Sequence, residues 1–484
     1  MHRVHRTDGK FDAPRRVRAS NFPRWIRSPR LAFLFAAFVG CVWLNQGPPL
    51  RRYDALVGEA SLHPLVRSWL PLAFAYRRSA DEELYFATAN AIRGTDYDEA
   101  VLLAKRGEMP EEFKHFPHPD GQWHRPYSEV PFEYPALILP FVVLPSLLSS
   151  TFDMYAVYFG LLMAGLVILS VSLAVRANPR PTPVERAEQW WFAAALFLAQ
   201  GALLVQRVDA VATVLLAAAL WAAVYRRPFL FGLGIGLAGA AKIVPALLLL
   251  PMMAADRETF RSRGAVARVA AGFAAGLAAS VVPMVLLSPS AVGALVGYHA
   301  ARGLHVESTY GVFFAVAGLL LGESPGVTLS FGSYNLGGEA SSFVSKAATP
   351  LLLFVTLGFS AWVMMRSRPR SEAERRDAIA CAALGALLCI WLFSKVFSPQ
   401  YMTWAIPFAA AIANRGVRAC LLLAMAISQA YLRGFYDSVV AMRPLGVVAL
   451  GARLCVLAIL AVVLIRALSV VDRMTQVPSR RPAS

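Results

Sequence analysis

Apolar stretches of helix length, each closed off by a short arginine-bearing segment, recur along almost the whole of this 484-residue chain. A helix needs about 20 apolar residues to cross a bilayer, and in lipid only helices or closed barrels satisfy every backbone polar group. The runs at 153–175, 189–206, 209–225, 265–287, 346–365, 378–397, 400–413, 417–432 and 445–466 therefore read as membrane helices, with a first one at 31–44. Some are shorter than a perpendicular crossing, which fits a thinned or cavity-lined region. Charge bears this out. Only 16% of residues are charged against 57% hydrophobic, where a soluble domain carries about a quarter charged residues. The net charge of +17 falls in clusters between the runs, the pattern of cytoplasmic loops, and forms no single patch for nucleic acid.

Arginine placement sets the expected topology. Arg15, Arg16, Arg18, Arg24, Arg27 and Arg30 precede the first run, in a basic region too long for a secretory signal and with no small-x-small cleavage site after it. An uncleaved first span with a cytoplasmic N-terminus follows. The segments carrying Arg176, Arg180 and Arg186, then Arg226 and Arg227, then Arg257, Arg261, Arg263 and Arg268 are then cytoplasmic. So are the stretch from Arg366 to Arg376, Arg415 with Arg418, and the tail with Arg480 and Arg481. Two segments must bend to keep these on one side. Residues 134–150 read as a short helix dipping in from the outer face, and 229–253 as two half-length helices meeting near Lys242 and Pro245. The expected architecture is an all-α polytopic membrane protein of about twelve crossings, with short re-entrant or juxtamembrane helices. It has a basic cytoplasmic tail at 1–30, a transmembrane domain at 31–466 with a large extracytoplasmic loop at 48–152, and a cytoplasmic tail at 467–484.

The polar residues left over collect at the outer span ends. They are the acids of the first loop, Gln206-Arg207-Val208-Asp209, the Lys242 bend, the stretch 298–308, Lys395 with Ser398-Pro399-Gln400-Tyr401, and Arg433, Tyr436 and Asp437. Ionisable groups at membrane depth cost about 2.5–3.5 kcal/mol each on insertion scales, so they mark functional candidates. Carboxylates above intramembrane Lys and Arg suit a water-soluble acceptor meeting an anionic lipid: the carboxylate removes a proton and the cations stabilise a departing phosphate. Other motifs carry no chemistry. Gly234-Ile235-Gly236-Leu237-Ala238-Gly239 matches a dinucleotide fingerprint but lies inside an apolar run rather than a βαβ unit, where small residues permit close helix packing. Asp96, Asp98 and Glu99 lack the register of a calcium loop. Cys41, Cys381, Cys389, Cys420 and Cys455 all sit in apolar runs without metal or disulfide spacing, so no structural metal is expected.

Six stretches in order carry a family resemblance. They are Asp81-Glu82-Glu83-Leu84-Tyr85 with Gly94; Pro126-Tyr127 through Phe132-Glu133-Tyr134-Pro135; Gln206-Arg207-Val208-Asp209; Gly239-Ala240-Ala241-Lys242-Ile243-Val244-Pro245; Arg302-Gly303-Leu304 with Glu307-Ser308; and Lys395-Val396-Phe397-Ser398-Pro399-Gln400-Tyr401. The chain resembles glycosyltransferase family 87, polyprenyl-phosphate-mannose-dependent membrane enzymes of the GT-C fold. The resemblance implies inverting transfer of a sugar, mannose first among candidates, from a polyprenyl-phosphate donor to a hydroxyl at the extracytoplasmic face. It makes Asp81 the general base, with Glu82 and Glu83 next in line. Lys242, Arg302, Arg207 and Lys395 would bind the donor phosphate. Glu83, Tyr85, Glu133, Tyr134, Asp209, Glu307, Gln400 and Tyr401 would line the acceptor and sugar site. Three features depart from the family: Glu82 stands where an apolar neighbour is usual, Ala136 replaces a second proline, and 95–125 looks inserted.

Blander readings stand beside these. Asp81 could cap a helix; Arg207 and Asp209 could form a structural ion pair; Lys242 could snorkel to the interface; Tyr401 and Trp404 could belong to an aromatic belt. His299 and His305 are expected at the interface. No cofactor is required, although a divalent ion on the phosphate stays open. The partners implied are membrane lipid, the lipid-linked sugar and a glycan or glycolipid acceptor, in a bacterial plasma membrane. The alternatives are a secondary transporter or lipid flippase, although no internal repeat is visible, or an inactive scaffold of the same fold.

Overall fold

The computed structural model describes residues 80–473 apart from 98, 100–116, 179–180, 324 and 370. The expected first span at 31–44, the tail at 1–30 and the outer loop up to residue 79 lie outside the described residues. Helix α1 (Ala80–Arg93) opens the described chain. A 3₁₀ turn (Ala136–Ile138) leads into α2 (Leu139–Leu147), a short helix where the sequence led one to be expected. Next come α3 (Phe152–Arg176), α4 (Pro183–Gln200), α5 (Asp209–Val224) and α6 (Pro228–Ala241). After a break at Lys242 the chain resumes as a 3₁₀ turn (Val244–Leu248) and α7 (Leu249–Ala255). The expected half-helix bend is therefore present. Pro245 has no N–H to extend α6, and Lys242 itself is extended (φ −149°, ψ 130°).

The second half holds α8 (Arg263–Leu287), α9 (Ala291–Ala301), α10 (Thr309–Leu321), α11 (Glu339–Arg366) and α12 (Glu372–Phe393). A 3₁₀ stretch (Pro399–Ala405) precedes α13 (Ile406–Ala411), and α14 (Arg415–Gly434), α15 (Tyr436–Val440) and α16 (Pro444–Arg473) complete the chain. Among the described residues, five helices are long and apolar enough to cross a membrane: α3, α8, α11, α12 and α16 over 444–469.

Three expectations are corrected. The chain is not purely helical: β1 (Leu304–His305), β2 (Val327–Ser330) and β3 (Ser333–Leu336) form an antiparallel sheet in the order β1-β3-β2. Its hairpin closes on Phe331 (φ 50°) and Gly332 (φ 64°). Two consecutive positive φ values make the turn that matches strand twist. The helix α10 was also unforeseen. Finally, 400–413 is no continuous span: Pro399 and Pro407 split it into a 3₁₀ stretch and a six-residue helix, tied to the end of α4 by Gln200, which donates to the Pro399 carbonyl at 2.7 Å.

The apolar residues divide by face. α12 is buried all round from Ala378 to Trp391 and forms the centre of the main core. In contrast, α8 and α11 turn large apolar side chains outward, Leu286 at 80% and Phe354 at 75% exposure, the face expected toward lipid tails. The glycine run in α6 packs against α8, as the sequence suggested. A Cβ on Gly232 or Gly236 would meet the Val269 or Phe273 carbonyl, and one on Gly272 or Gly276 would meet the α6 backbone. Small residues at four-residue spacing let the two backbones touch.

Helix ends sort into two groups. At one end Tyr225 donates to the Arg176 carbonyl at 3.0 Å, Arg226 pairs with Glu372 at 2.7 Å, and Arg257 donates to the Met364 carbonyl at 3.2 Å. Arg415 lies 3.9 Å from Glu188. Among the described residues, the ends carrying Arg176, Arg226, Arg257 and Arg415 thus lie together, as the sequence put them. α5 runs from there to Asp209, and at about 1.5 Å per residue its 16 residues span about 24 Å.

Candidate functional site

The site is built at the far end of α5 from four pieces of chain. The first is the opening turn of α1, where Asp81, Glu82 and Glu83 suit the positive end of the helix dipole. Successive helical residues point about 100° apart, so the three acids face different ways. Glu82 turns inward and is fully buried, beside Tyr155. Glu83 lies on the side away from Asp81. Asp81 remains 24% exposed and forms an ion pair with Arg207. Tyr85, one helical turn on, shares the Asp81 face; it is 2% exposed and its hydroxyl lies 3.2 Å from that of Tyr134.

The second piece carries Glu133 and Tyr134. Tyr127 has a left-handed backbone (φ 70°), costly for a bulky residue, and donates its hydroxyl to the Tyr134 carbonyl at 2.8 Å. Glu133 sits beside this group, its charge bearing on the Tyr134, Tyr127 and Tyr85 hydroxyls.

The third piece is the α5 start and the α6 break. Asp209 is 1% exposed and accepts from Lys242 through both carboxylate oxygens at 2.9 Å. An ion pair between Arg207 and Asp209 was the expected alternative; instead Arg207 is paired to Asp81 and Asp209 to Lys242. Adjacent corner residues diverge, whereas the broken end of α6 delivers a lysine directly onto the start of α5. The Lys242 ammonium also lies 5.9 Å from the Tyr134 ring centroid, 5.1 Å from Tyr401 and 5.8 Å from Trp404. Such faces attract a cation by about 0.5–2 kcal/mol. Lys242 is 15% exposed, so it does not snorkel away. Tyr401 and Trp404 stack at 4.7 Å and form a wall of the site, not a peripheral belt, with Gln400 half-buried beside them.

The fourth piece is the 302–308 stretch with the loop after α12. Arg302 donates to the Ser333 hydroxyl at 3.1 Å and hydrogen-bonds Tyr401, while its buried Nε–H has no acceptor. Lys395 donates to the carbonyls of Ala300 (2.8 Å) and Arg302 (2.7 Å). Burial and the Arg302 charge pull Lys395 below the ordinary lysine range. Lys242 and Arg302 thus meet at Tyr401, and Lys395 holds the Arg302 backbone.

Two expectations move. His305 is not interfacial but 4% exposed. Its Nδ1 lies 3.0 Å from the Phe397 carbonyl, which can only accept, so Nδ1 carries the hydrogen. Burial, then the Arg302 and Arg453 charges, push its pKa down to about 3. Glu307 is 2% exposed, and its carboxylate faces protein groups: Tyr431 donates to it at 2.6 Å and Arg453 lies 3.9 Å away. Arg453 was missed in the sequence. Its signal was present: a lone arginine inside the apolar run 445–466.

A sequence model described as glycosyltransferase family 87 matches residues 132–399. No curated protein matches the chain. The matched segment carries Glu133, Tyr134, Arg207, Asp209, Lys242, Arg302, Glu307 and Lys395, and ends before Tyr401. Asp81 and Tyr85 precede it.

Proposed function

This chain belongs to glycosyltransferase family 87 and is a membrane glycosyltransferase; we propose that it transfers a sugar, mannose first, from a polyprenyl-phosphate donor to an acceptor hydroxyl outside the membrane. The observation that carries this is the meeting of Lys242 and Arg302 at Tyr401, with Lys395 on the Arg302 carbonyl and the Arg207–Asp81 pair at the same end of the bundle, away from the basic helix ends. Basic loops favour the cytoplasm, which supports reading the site as extracytoplasmic, in a GT-C-type fold that we propose makes about twelve crossings.

Each group has a task in this mechanism. The lipid phosphate enters near Arg302, whose Nε–H lacks an acceptor, and draws Lys242 off Asp209 and Arg207 off Asp81. Asp81, relieved of its partner, accepts the proton of the attacking hydroxyl. The new bond forms at the anomeric carbon as the bond to the phosphate oxygen breaks, with inversion. The cations hold the negative charge left on polyprenyl phosphate. Tyr85, Tyr134, Tyr401 and Glu133 supply rings and polar groups for the sugar.

Purified protein in lipid, given radiolabelled polyprenyl-phosphate mannose and a panel of acceptors, tests this. Label should pass to an acceptor with inverted anomeric configuration and release of polyprenyl phosphate. A protein that neither transfers label nor binds polyprenyl phosphate would end the proposal.

A further inference from the structure

Arg453 is a buried cation that the transfer reaction does not use. It sits within α16, is 2% exposed, and stacks 4.4 Å from the Phe397 ring centroid and 5.5 Å from that of Tyr431. Its guanidinium donates to the Glu307 backbone carbonyl and to the Tyr431 hydroxyl. Tyr431 in turn donates to the Glu307 carboxylate at 2.6 Å, and Tyr436 hydrogen-bonds the same carboxylate. A charge at this depth is costly, and burying it with a partner is often no better than an apolar pair of the same volume. Stability alone therefore accounts poorly for it.

The connections lead toward the site. Glu307 closes a short stretch whose other end is Arg302. That end is held by Lys395 on the Arg302 carbonyl and by the His305 amide donating to the Lys395 carbonyl at 3.0 Å. β1 pairs Leu304 and His305 with β3, and Ser333 of β3 takes the Arg302 hydrogen bond. The stretch is clamped at one end by Lys395 and at the other by Arg453. From α16, Arg453 is the side chain that grips the Glu307 carbonyl.

We propose that Arg453 is a positioning residue: by gripping the Glu307 carbonyl it fixes residues 302–308 and so aims Arg302 at the donor phosphate. This rests on Arg302 meeting that phosphate, as proposed above. Arg453 touches no substrate. Its effect reaches the donor through one charge-assisted hydrogen bond, so losing the grip should weaken donor affinity and leave the chemical step almost untouched.

The test pairs Arg453→Met with the double variant Glu307→Gln/Arg453→Met. The single variant strands the Glu307 charge and should lose thermal stability. The double variant carries no buried charge and should recover it, yet keep a donor KM raised about tenfold with kcat close to wild type. Faster hydrogen exchange at the amides of 302–308 should accompany it. Recovery of stability with wild-type donor KM and wild-type exchange would make Arg453 merely structural and overturn the proposal. Arg453→Lys gives the same two readouts should the double variant fail to fold. Wild-type protein without transfer or polyprenyl-phosphate binding would defeat the proposed function instead, while the exchange measurement still decides whether the clamp exists.

Discussion

The two ends of the bundle both bury arginine, and they use it differently. At the basic end, Arg375 spends all five of its N–H donors: Nε and Nη2 on Glu372, Nη1 on Asp256 at 2.7 Å and the Ala223 carbonyl at 3.2 Å, and Nη2 also on the Val224 carbonyl. It ties the ends of α5, α7 and α12 together and has nothing left for a ligand. At the other end, Arg302 keeps a buried Nε–H without an acceptor, and Lys242 rests on one carboxylate under aromatic faces. Burial of charge thus does not by itself mark a functional site. What sets Arg302 apart from Arg375 is that its unsatisfied donor still gains when an anion arrives.

Substitutions at the two ends should therefore fail in opposite ways. The largest effect belongs to Asp81→Asn: turnover should fall by about 10²–10⁴ with thermal stability unchanged, measured as label transfer beside a detergent melting curve. Wild-type turnover would remove Asp81 as the base. Next, Arg375→Met should cost about 3–5 kcal/mol, because Asp256 is left buried and unpaired. The expected readout is a loss of monodisperse protein, with normal turnover in the fraction that folds; a stable but inactive variant would erase the contrast between the ends.

A smaller effect separates binding from chemistry. Lys242→Ala should raise donor KM by about 10- to 100-fold, the worth of one hydrogen bond to a charged group, and lower kcat less. If apparent donor affinity did not change, Lys242 would be only a partner for Asp209. The smallest effect is on pH. The folded His305 ring, with its pKa near 3, stays neutral, while the unfolded chain takes up a proton below about pH 6.5. Stability from this group is complete above that pH and declines as pH falls toward 3, by about 1 kcal/mol near pH 6. His305→Asn should flatten that part of a melting-temperature profile; an unchanged slope would assign the decline to other groups.

Much of the scaffold was legible in advance. The run at 153–175 is α3 to within a residue at each end, the half-helix break falls at Lys242, and the glycine fingerprint proved to be a packing seam. The sheet and α10 were not legible, because both follow from the 302–336 region folding back on itself between two spans. In the site, Arg207, Asp209, Lys242 and Arg302 were identifiable as charges at span ends, and Asp81 through the family resemblance. Their partners were not: Arg207 and Asp209 are near neighbours in sequence, and each is paired elsewhere.

The sequence alone determined the long apolar helices such as α3, the break at Lys242 and which helix ends carry basic residues. Transfer free energy, proline geometry and local charge are properties of short windows, and they add along the chain. Only the tertiary structure decided which carboxylate holds which cation, that Glu307 faces Arg453 and not an open cleft, and that Arg302 retains a free donor. Those outcomes depend on how helix ends far apart in sequence are brought within 3–4 Å, where the direction of a single side chain decides between a structural pair and a binding group.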